Sequence, residues 1–373
     1  TIGIIPLIII GHLREVLFYY PSKINLTKIK SNFFYDNRKN ILLSFLFFII
    51  LISSLNGYFK IYQKGLIPLK EINFFISGSV KWLLLFGLSS VSCILIFLEI
   101  RYFKKIFNLT IFIFLFESFL SSLSMISRGM IFNSLSIIYG IYKFSKKTGK
   151  FLNINIFLKL ITVCGILFYM SVILVNEIRA EYFYIGKSRI DTLEKKNLNK
   201  DKTNFNFLNY NSEFFYIATN RWVGIDAIFA VAQNKDKLGE DLLREAFNEN
   251  FQKELPTFYE KTFNLKNVNN STTEIHENAK GNTLTGIIAF LFYSGSLIFL
   301  FIGMLILIIF ANLLEFISFK VSGKNLIFCS LIGQIVAFRF IHFGYLPKQS
   351  YLLFGSIFLT IFAVYLFKTF TKR

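Results

Sequence analysis

The sequence predicts an all-α protein, a polytopic integral membrane helical bundle with one long, mostly helical loop on the external side. Hydrophobic residues make up 54% of the 373 residues and charged residues only 17%, whereas a soluble domain carries about 25%. The apolar residues are gathered into runs close to the roughly 20 residues that cross a bilayer. Lys and Arg concentrate in every second connection between these runs. This composition excludes a disordered chain and an ordinary soluble enzyme.

Nine apolar segments are candidates for membrane-spanning helices. The fifth segment is short, and the seventh is long enough to hold a tilted helix or a bent first part. Because the first segment already begins at residue 1, we expect further sequence before it. In chain order the segments are 1–12, 41–57, 78–99, 106–126, 129–142, 152–175, 287–318, 325–341 and 350–367.

The distribution of charge predicts how the bundle is oriented. The net charge is +19, but residues 178–282 hold 15 basic and 15 acidic residues, so the whole excess lies in the spans and their short connections. The segments that follow the first, third, fifth, seventh and ninth spans are basic, which predicts that they are cytoplasmic. Only Lys60, Lys64 and Lys70, in the external 57–78 connection, fit this rule poorly. Since the polar stretch carries no basic patch, we expect no nucleic-acid partner.

The long polar stretch divides the chain into three parts and contains two candidate amphipathic helices. Residues 213–233 are largely apolar but too polar to span a membrane, and a second apolar pattern runs from Leu242 to Phe251 at helical spacing. Such helices lie on a membrane surface or cap a cavity between spans. The three parts are transmembrane helices in 1–177, the large external loop in 178–283 and the C-terminal transmembrane helices in 284–373.

Four arginines on or near the external side are candidates for anion binding. A guanidinium group binds phosphate oxygens bidentately and keeps its proton, and an Arg inside the bilayer costs about 2.5–3.5 kcal/mol, so it usually has a partner or a function. The alternatives are a boundary residue that reaches the interface and a side chain that pairs inside the bundle. The four residues are Arg128, Arg179, Arg221 and Arg339.

Candidates for proton transfer are few. His342, close to Tyr345 at the external end of a span, can accept a proton from a sugar hydroxyl. Asp226 follows Arg221 and Trp222 in the first amphipathic helix, where ion pairing is the alternative to catalysis. No metal-ligand spacing and no Gly-rich phosphate loop is present, so we expect neither a metal nor a cofactor. These residues leave an enzyme and a transporter equally open.

Four strings of the sequence resemble the O-antigen polymerase (Wzy-type) family. The strongest is an Arg-Trp-x-Gly helix in the large loop, which is followed by a Thr-x-x-Gly segment and a span that contains Tyr-Ser-Gly-Ser. The resemblance covers roughly residues 110–310. The strings are SRG at 127–129, NEIRAEYF at 176–183, NRWVGIDAIFAV at 220–231 and TLTGIIAFLFYSGSLIFLFIGM at 283–304.

This resemblance implies a glycosyltransferase in the bacterial inner membrane, with its large loop in the periplasm. The enzyme joins undecaprenyl-pyrophosphate-linked oligosaccharide repeat units into a surface polysaccharide. Arg128, Arg179 and Arg221 then surround the pyrophosphate and the sugar, and Asp226 or His342 takes the hydroxyl proton. Further substrate contacts are expected from Arg339, Trp222 and Tyr345.

The resemblance also implies partners and alternatives. The departing pyrophosphate needs positive charge, so the reaction requires no metal. Membrane lipid and a chain-length regulator are the expected partners besides the lipid-linked oligosaccharide. An O-antigen ligase shares the architecture, and a flippase or another transporter for lipid-linked sugars would carry similar spans and cations. A large, neutral, one-sided loop and the lack of a visible internal repeat favour the enzyme.

Overall fold

The structure, a computed structural model, describes residues 3–17, 24, 32–64, 72–149, 153–183, 225–233, 237–248, 286–342 and 347–370. Of these residues, 87% are helical and none lies in a strand, so the all-α prediction is confirmed for this part of the chain. Within it, five helices are long and apolar enough to cross a membrane, and two shorter helices are also apolar. These lengths and compositions support a helical membrane protein.

The helices of the described residues follow the order of the predicted segments, and each predicted span overlaps at least one of them. In chain order they are α1 Ile5–Leu17, α2 Asn32–Phe59, α3 Phe74–Phe103, α4 Asn108–Ser124, α5 Ile131–Thr148, α6 Ile154–Phe183, α7 Ile225–Gln233, α8 Asp241–Phe247, α9 Gly286–Phe292, α10 Leu297–Val321, α11 Leu326–His342 and α12 Pro347–Phe370. The five long apolar helices are α2, α3, α6, α10 and α12, and the two shorter ones are α4 and α11.

The seventh predicted span is broken into two helices, which agrees with the second of the two alternatives, a tilted helix or a bent first part, that its length allowed. Its first part is α9, the chain then turns, and α10 begins after Ser296, whose side chain accepts a hydrogen bond from Phe299 N at 3.1 Å. The fifth span is longer than predicted, because α5 continues through polar residues to Thr148 and ends at Gly149, which has φ +124°. An L residue rarely adopts that backbone conformation, so glycine ends the helix there.

Of the predicted external loop, the structure describes chiefly α7 and α8. Both belong to the two predicted amphipathic helices, whose remaining residues, including Phe251, lie outside the described ranges. α7 packs against α9, and α8 contacts α12. Val231 and Leu242 are buried in these contacts, and Leu238 N donates to Tyr293 O at 3.2 Å. The described part of the loop is therefore held on the bundle by apolar contacts and backbone hydrogen bonds.

One end of the bundle, which we call the basic end, lies where α3 meets α4 and α10 meets α11, and its connections carry Lys104, Lys105 and Lys324. At this end Glu99 is fully buried and accepts hydrogen bonds from Arg38 Nε at 2.6 Å and Thr110 Oγ1 at 2.6 Å. The carboxylate thereby joins α2, α3 and α4. A buried charge is tolerated when it is paired and hydrogen-bonded, as here. An ion pair between Arg14 and Glu315 joins α1 to α10 in the same way.

The centre of the bundle is the contact between α5 and α11. A Cβ on Gly140 would lie 2.7 Å from Ile327 Cα, so only glycine permits this approach of the two backbones. Ser330 Oγ donates to Ser136 O across the same contact at 2.7 Å. Small residues and interhelical hydrogen bonds are the usual means of close helix packing in membranes. This contact fixes the start of α5 relative to the end of α11, and both lie at the side of the molecule opposite the basic end.

Candidate functional site

The turn at residues 125–130, between α4 and α5, collects groups from four parts of the chain. α4 ends with Ser127 N donating to Ser122 O at 2.9 Å, and Ile126 adopts a left-handed conformation at φ +52°. Glycine is the usual residue at such a helix end, and a β-branched residue there is strained. Strained backbone of this kind is concentrated at functional sites, which makes the turn a candidate.

Cationic residues from three neighbouring elements bond to this turn. Lys64, in the connection after α2, donates from its backbone N to Met125 O at 3.0 Å. Arg179, on α6, donates from Nε to Ile126 O at 3.1 Å. Arg339, on α11, lies with Nη2 2.7 Å from the Sδ atom of Met130. Together with Arg128, which belongs to the turn itself, these residues form what we call the cation cluster: Lys64, Arg128, Arg179 and Arg339.

Two arginines of the cluster act electrostatically on its lysine. Burial holds the pKa of Lys64 well below its ordinary value, and the positive charges of Arg339, Arg179 and Lys81 lower it further. The charge of Arg339 also acts on Tyr62, two residues earlier, whose phenol nevertheless has a raised pKa because it is buried. An anion placed among these groups would relieve their mutual repulsion. The cluster therefore favours a ligand with more than one negative charge.

Arg339 lies deepest in the cluster, with only 2% of its surface exposed. Burying a guanidinium group costs several kcal/mol unless charge or hydrogen bonds compensate for it. Arg339 nevertheless lies buried at the end of an apolar helix, against the turn to which Arg179 and Lys64 also bond. A buried guanidinium group of this kind is typical of a binding or catalytic site rather than of ordinary packing.

Arg339 belongs to a π-helical segment, Val336–His342, which ends α11. In this wider turn the ring of His342 stacks on that of Phe338, with centroids 5.6 Å apart and planes 10° apart. A Cβ on Gly129 would lie 2.3 Å from Phe338 Cζ, so the 125–130 turn touches the same ring. The charge of Lys64 acts on His342 as well. The imidazole is therefore placed at the edge of the cation cluster, and single π-helical turns often mark functional sites.

A cavity of about 630 Å3 adjoins the cluster. It lies between α5, α6 and α11, and its walls are mostly apolar. His342 and Phe338 line it at the end next to the cluster, while Ser330 lines it deeper in the bundle. Ligand pockets in proteins have volumes of roughly 300–1,000 Å3, so the cavity can hold a ligand.

The structure thus brings together four of the residues predicted from the sequence: Arg128, Arg179, Arg339 and His342. The predicted residues Arg221, Trp222 and Tyr345 lie outside the described residues. The backbone of Asp226 lies in α7, but its side chain is not described. The catalytic and binding roles expected of all eight residues stay predictions.

Lys64 is the member of the site that the sequence analysis did not select. It lies in the 57–78 connection, whose lysines were the one exception to the expected distribution of positive charge. A lysine that departs from the expected distribution of positive charge is a signal for a function other than orientation, and the signal was present in the sequence. The structure fixes the backbone of this lysine to the turn that also carries Arg128.

Chemically, the arrangement can bind a polyvalent anion such as pyrophosphate and can stabilise the charge that develops on it as a leaving group. His342 is the described group next to the cluster that can accept or give a proton near neutral pH.

No group of three or more His, Cys, Asp or Glu side chains that could hold a metal ion occurs among the described residues. Comparison of the chain with protein-family models, with curated proteins and with solved structures gives no match.

Proposed function

We propose that the protein is a membrane glycosyltransferase of the Wzy type. It polymerises undecaprenyl-pyrophosphate-linked oligosaccharide repeat units at the end of the bundle opposite the basic end. The observation that carries this proposal is the cation cluster, in which Lys64, Arg128, Arg179 and Arg339 meet at one turn. A cluster of this kind suits the pyrophosphate of a lipid-linked sugar, and the sequence strings around Arg128 and Arg179 resemble the polymerases.

In the proposed reaction, the bond between the anomeric carbon of the growing chain and its pyrophosphate oxygen breaks. A hydroxyl oxygen of the incoming repeat unit forms the new glycosidic bond to that carbon and gives up its proton. The departing lipid pyrophosphate keeps the bonding electrons, and the cation cluster stabilises its added negative charge. His342 takes the hydroxyl proton, with Asp226 of α7 as the alternative acceptor.

The distribution of charge supports a location in the bacterial inner membrane. The basic end would face the cytoplasm, and the cation cluster and the large loop would face the periplasm. The substrate is then held by the surrounding membrane lipid with its pyrophosphate at the interface. A chain-length regulator would meet the protein on this periplasmic side.

The test is the surface polysaccharide of the host, separated on a gel. In a strain that lacks the gene, the ladder should collapse to a single capped repeat unit, and the wild-type gene should restore it. Loss of every repeat unit, with lipid-linked polymer accumulating outside, would indicate a ligase instead. Accumulation on the cytoplasmic side would indicate a transporter, and an unchanged ladder would refute all three functions.

Variants of the cluster connect this phenotype to the site. Arg128→Gln and Arg339→Gln should abolish the ladder while the protein stays in the membrane at its normal level. Arg128→Lys should restore it poorly, because lysine cannot bind phosphate oxygens bidentately. Arg101→Gln, at the basic end, is the matched control and should leave the ladder intact. Full activity of both Gln variants in the cluster would contradict the proposal.

A further inference from the structure

The cavity beside the cation cluster has the position and depth of a lipid-chain site. Along α11, its lining runs from Ser330 to His342, a distance of roughly 18 Å at 1.5 Å per residue. This is more than half of the roughly 30 Å hydrocarbon thickness of a bilayer. The cavity thus extends from the cluster well into the membrane. Its lining includes Phe132, Tyr139, Phe157, Ile161, Phe338 and His342.

The end of the cavity and the cation cluster are built from the same short segment of α11. Phe338 and His342 line the cavity, while Arg339, between them in sequence, reaches the 125–130 turn. A molecule whose apolar chain fills the cavity therefore has its head group among the cations. Only an amphiphile with an anionic head matches both parts.

The charge and the lining favour one kind of amphiphile. The cluster contains three arginines and a lysine that can take up a proton when an anion binds, and a pyrophosphate head carries more negative charge than the phosphodiester of an ordinary phospholipid. Aromatic rings from α5, α6 and α11 form much of the wall, with Phe132 and Phe338 in edge-to-face contact at 5.0 Å. Flat rings pack well against the branched, unsaturated units of an isoprenoid chain.

We propose that the cavity between α5, α6 and α11 binds the isoprenoid chain of a polyprenyl pyrophosphate whose head group lies in the cation cluster. This inference rests on the proposed function and deepens it, because it assigns a place in the bundle to the lipid portion of the substrate. The chain leaves the cluster past the stacked rings of Phe338 and His342 and runs along α11 toward Ser330. The cavity fixes the direction in which the pyrophosphate enters the site, so it acts in positioning rather than in bond cleavage.

The test uses the full chain in phosphatidylcholine vesicles and a farnesyl pyrophosphate analogue with a diazirine on its terminal isoprene unit. After illumination, the labelled peptides should come from α5, α6 or α11 at the cavity. Unlabelled farnesyl pyrophosphate should compete, whereas farnesol and phosphatidylglycerol should compete poorly. Ala337→Trp, which fills the cavity, should abolish the labelling, and Ile306→Trp, on the exposed face of α10, should not.

Binding of inorganic pyrophosphate separates the two proposals. Ala337→Trp should retain this binding, because it leaves the cation cluster intact, while Arg339→Gln should lose it. Labelling elsewhere on the protein, or equal competition by phosphatidylglycerol, would overturn the cavity proposal and leave the proposed function standing. If inorganic pyrophosphate binds equally to the wild type and to Arg339→Gln, the head-group site fails, and the proposed function fails with it.

Discussion

Replacing Gly140 by alanine tests the contact on which the geometry of the site depends. The added Cβ would lie 2.7 Å from Ile327 Cα and 3.1 Å from Ser330 Cβ. The closest of these atoms belongs to the backbone of α11, so no change of rotamer can move it away. The two helices must separate by about 0.7 Å to reach an ordinary contact of about 3.4 Å, and well-packed interiors resist such a shift.

Two opposing effects determine how much Gly140→Ala changes the free energy of unfolding. Overpacking of a tight contact costs about 1–3 kcal/mol. Alanine in place of glycine inside a helix returns about 1 kcal/mol through its higher helix propensity. The free energy of unfolding should therefore fall by up to about 2 kcal/mol relative to the wild type, which is the largest difference between the two effects.

Thermal or denaturant unfolding of the purified protein in detergent measures this change. Gly165→Ala, on α6, is the matched control, since a Cβ there meets nothing within 4 Å. That variant should be as stable as the wild type or slightly more stable. If Gly140→Ala were as stable as Gly165→Ala, the close approach of α5 and α11 would not exist as described.

Three further predictions concern the site and the basic end. Because the folded protein holds the pKa of Lys64 below its ordinary value, a bound anion should raise that pKa, so pyrophosphate binding should take up a proton and tighten as the pH falls. Calorimetry in two buffers of different ionisation enthalpy should show less proton uptake for Lys64→Met. Arg38→Met leaves the Glu99 carboxylate buried without its cation and should destabilise the fold by about 3–5 kcal/mol in denaturant unfolding. Gly129→Ala should displace the Phe338 ring and reduce polysaccharide formation by more than its effect on protein level explains.

Each of these predictions has a control. Equal proton uptake by the wild type and Lys64→Met would show that this lysine does not meet the anion. The double variant Arg38→Met/Glu99→Leu should be more stable than Arg38→Met alone, because no unpaired charge is left buried. Gly78→Ala, where a Cβ meets nothing within 4 Å, should leave the polysaccharide unchanged.

The fold could be predicted largely from apolar segment lengths and the placement of basic connections. Hydrophobicity over about 20 residues dominates membrane insertion, so the positions of the nine segments agree with the helices of the structure. The length of 287–318 indicated either a tilted helix or a bent first part, and the structure shows a break between α9 and α10. The extent of α5 was missed because its last turns are polar, and a hydropathy window does not report helices that continue beyond the apolar region.

The site was predictable in part. Arg128, Arg179 and Arg339 were selected because a guanidinium at membrane depth is costly, and the structure brings all three to one turn. Lys64 was missed because a lysine in a loop is usually solvated, and nothing local in the sequence shows that its backbone bonds to Met125. The cavity could not be predicted, because it is formed by helices separated by nearly 200 residues.

The π-helical segment at the end of α11 has a consequence for the ancestry of the site. A π-helical turn arises when one residue is inserted into an α-helix, and the remainder of the helix keeps its packing. Deleting one residue between Val336 and Phe338 would restore regular winding and turn the rings of Phe338 and His342 relative to each other. Chains that share this bundle but lack the extra residue would keep α5 against α11 while presenting a different set of side chains to the 125–130 turn. In an alignment of such chains, a single-residue gap at this place would separate those that keep the stacked histidine from those that do not.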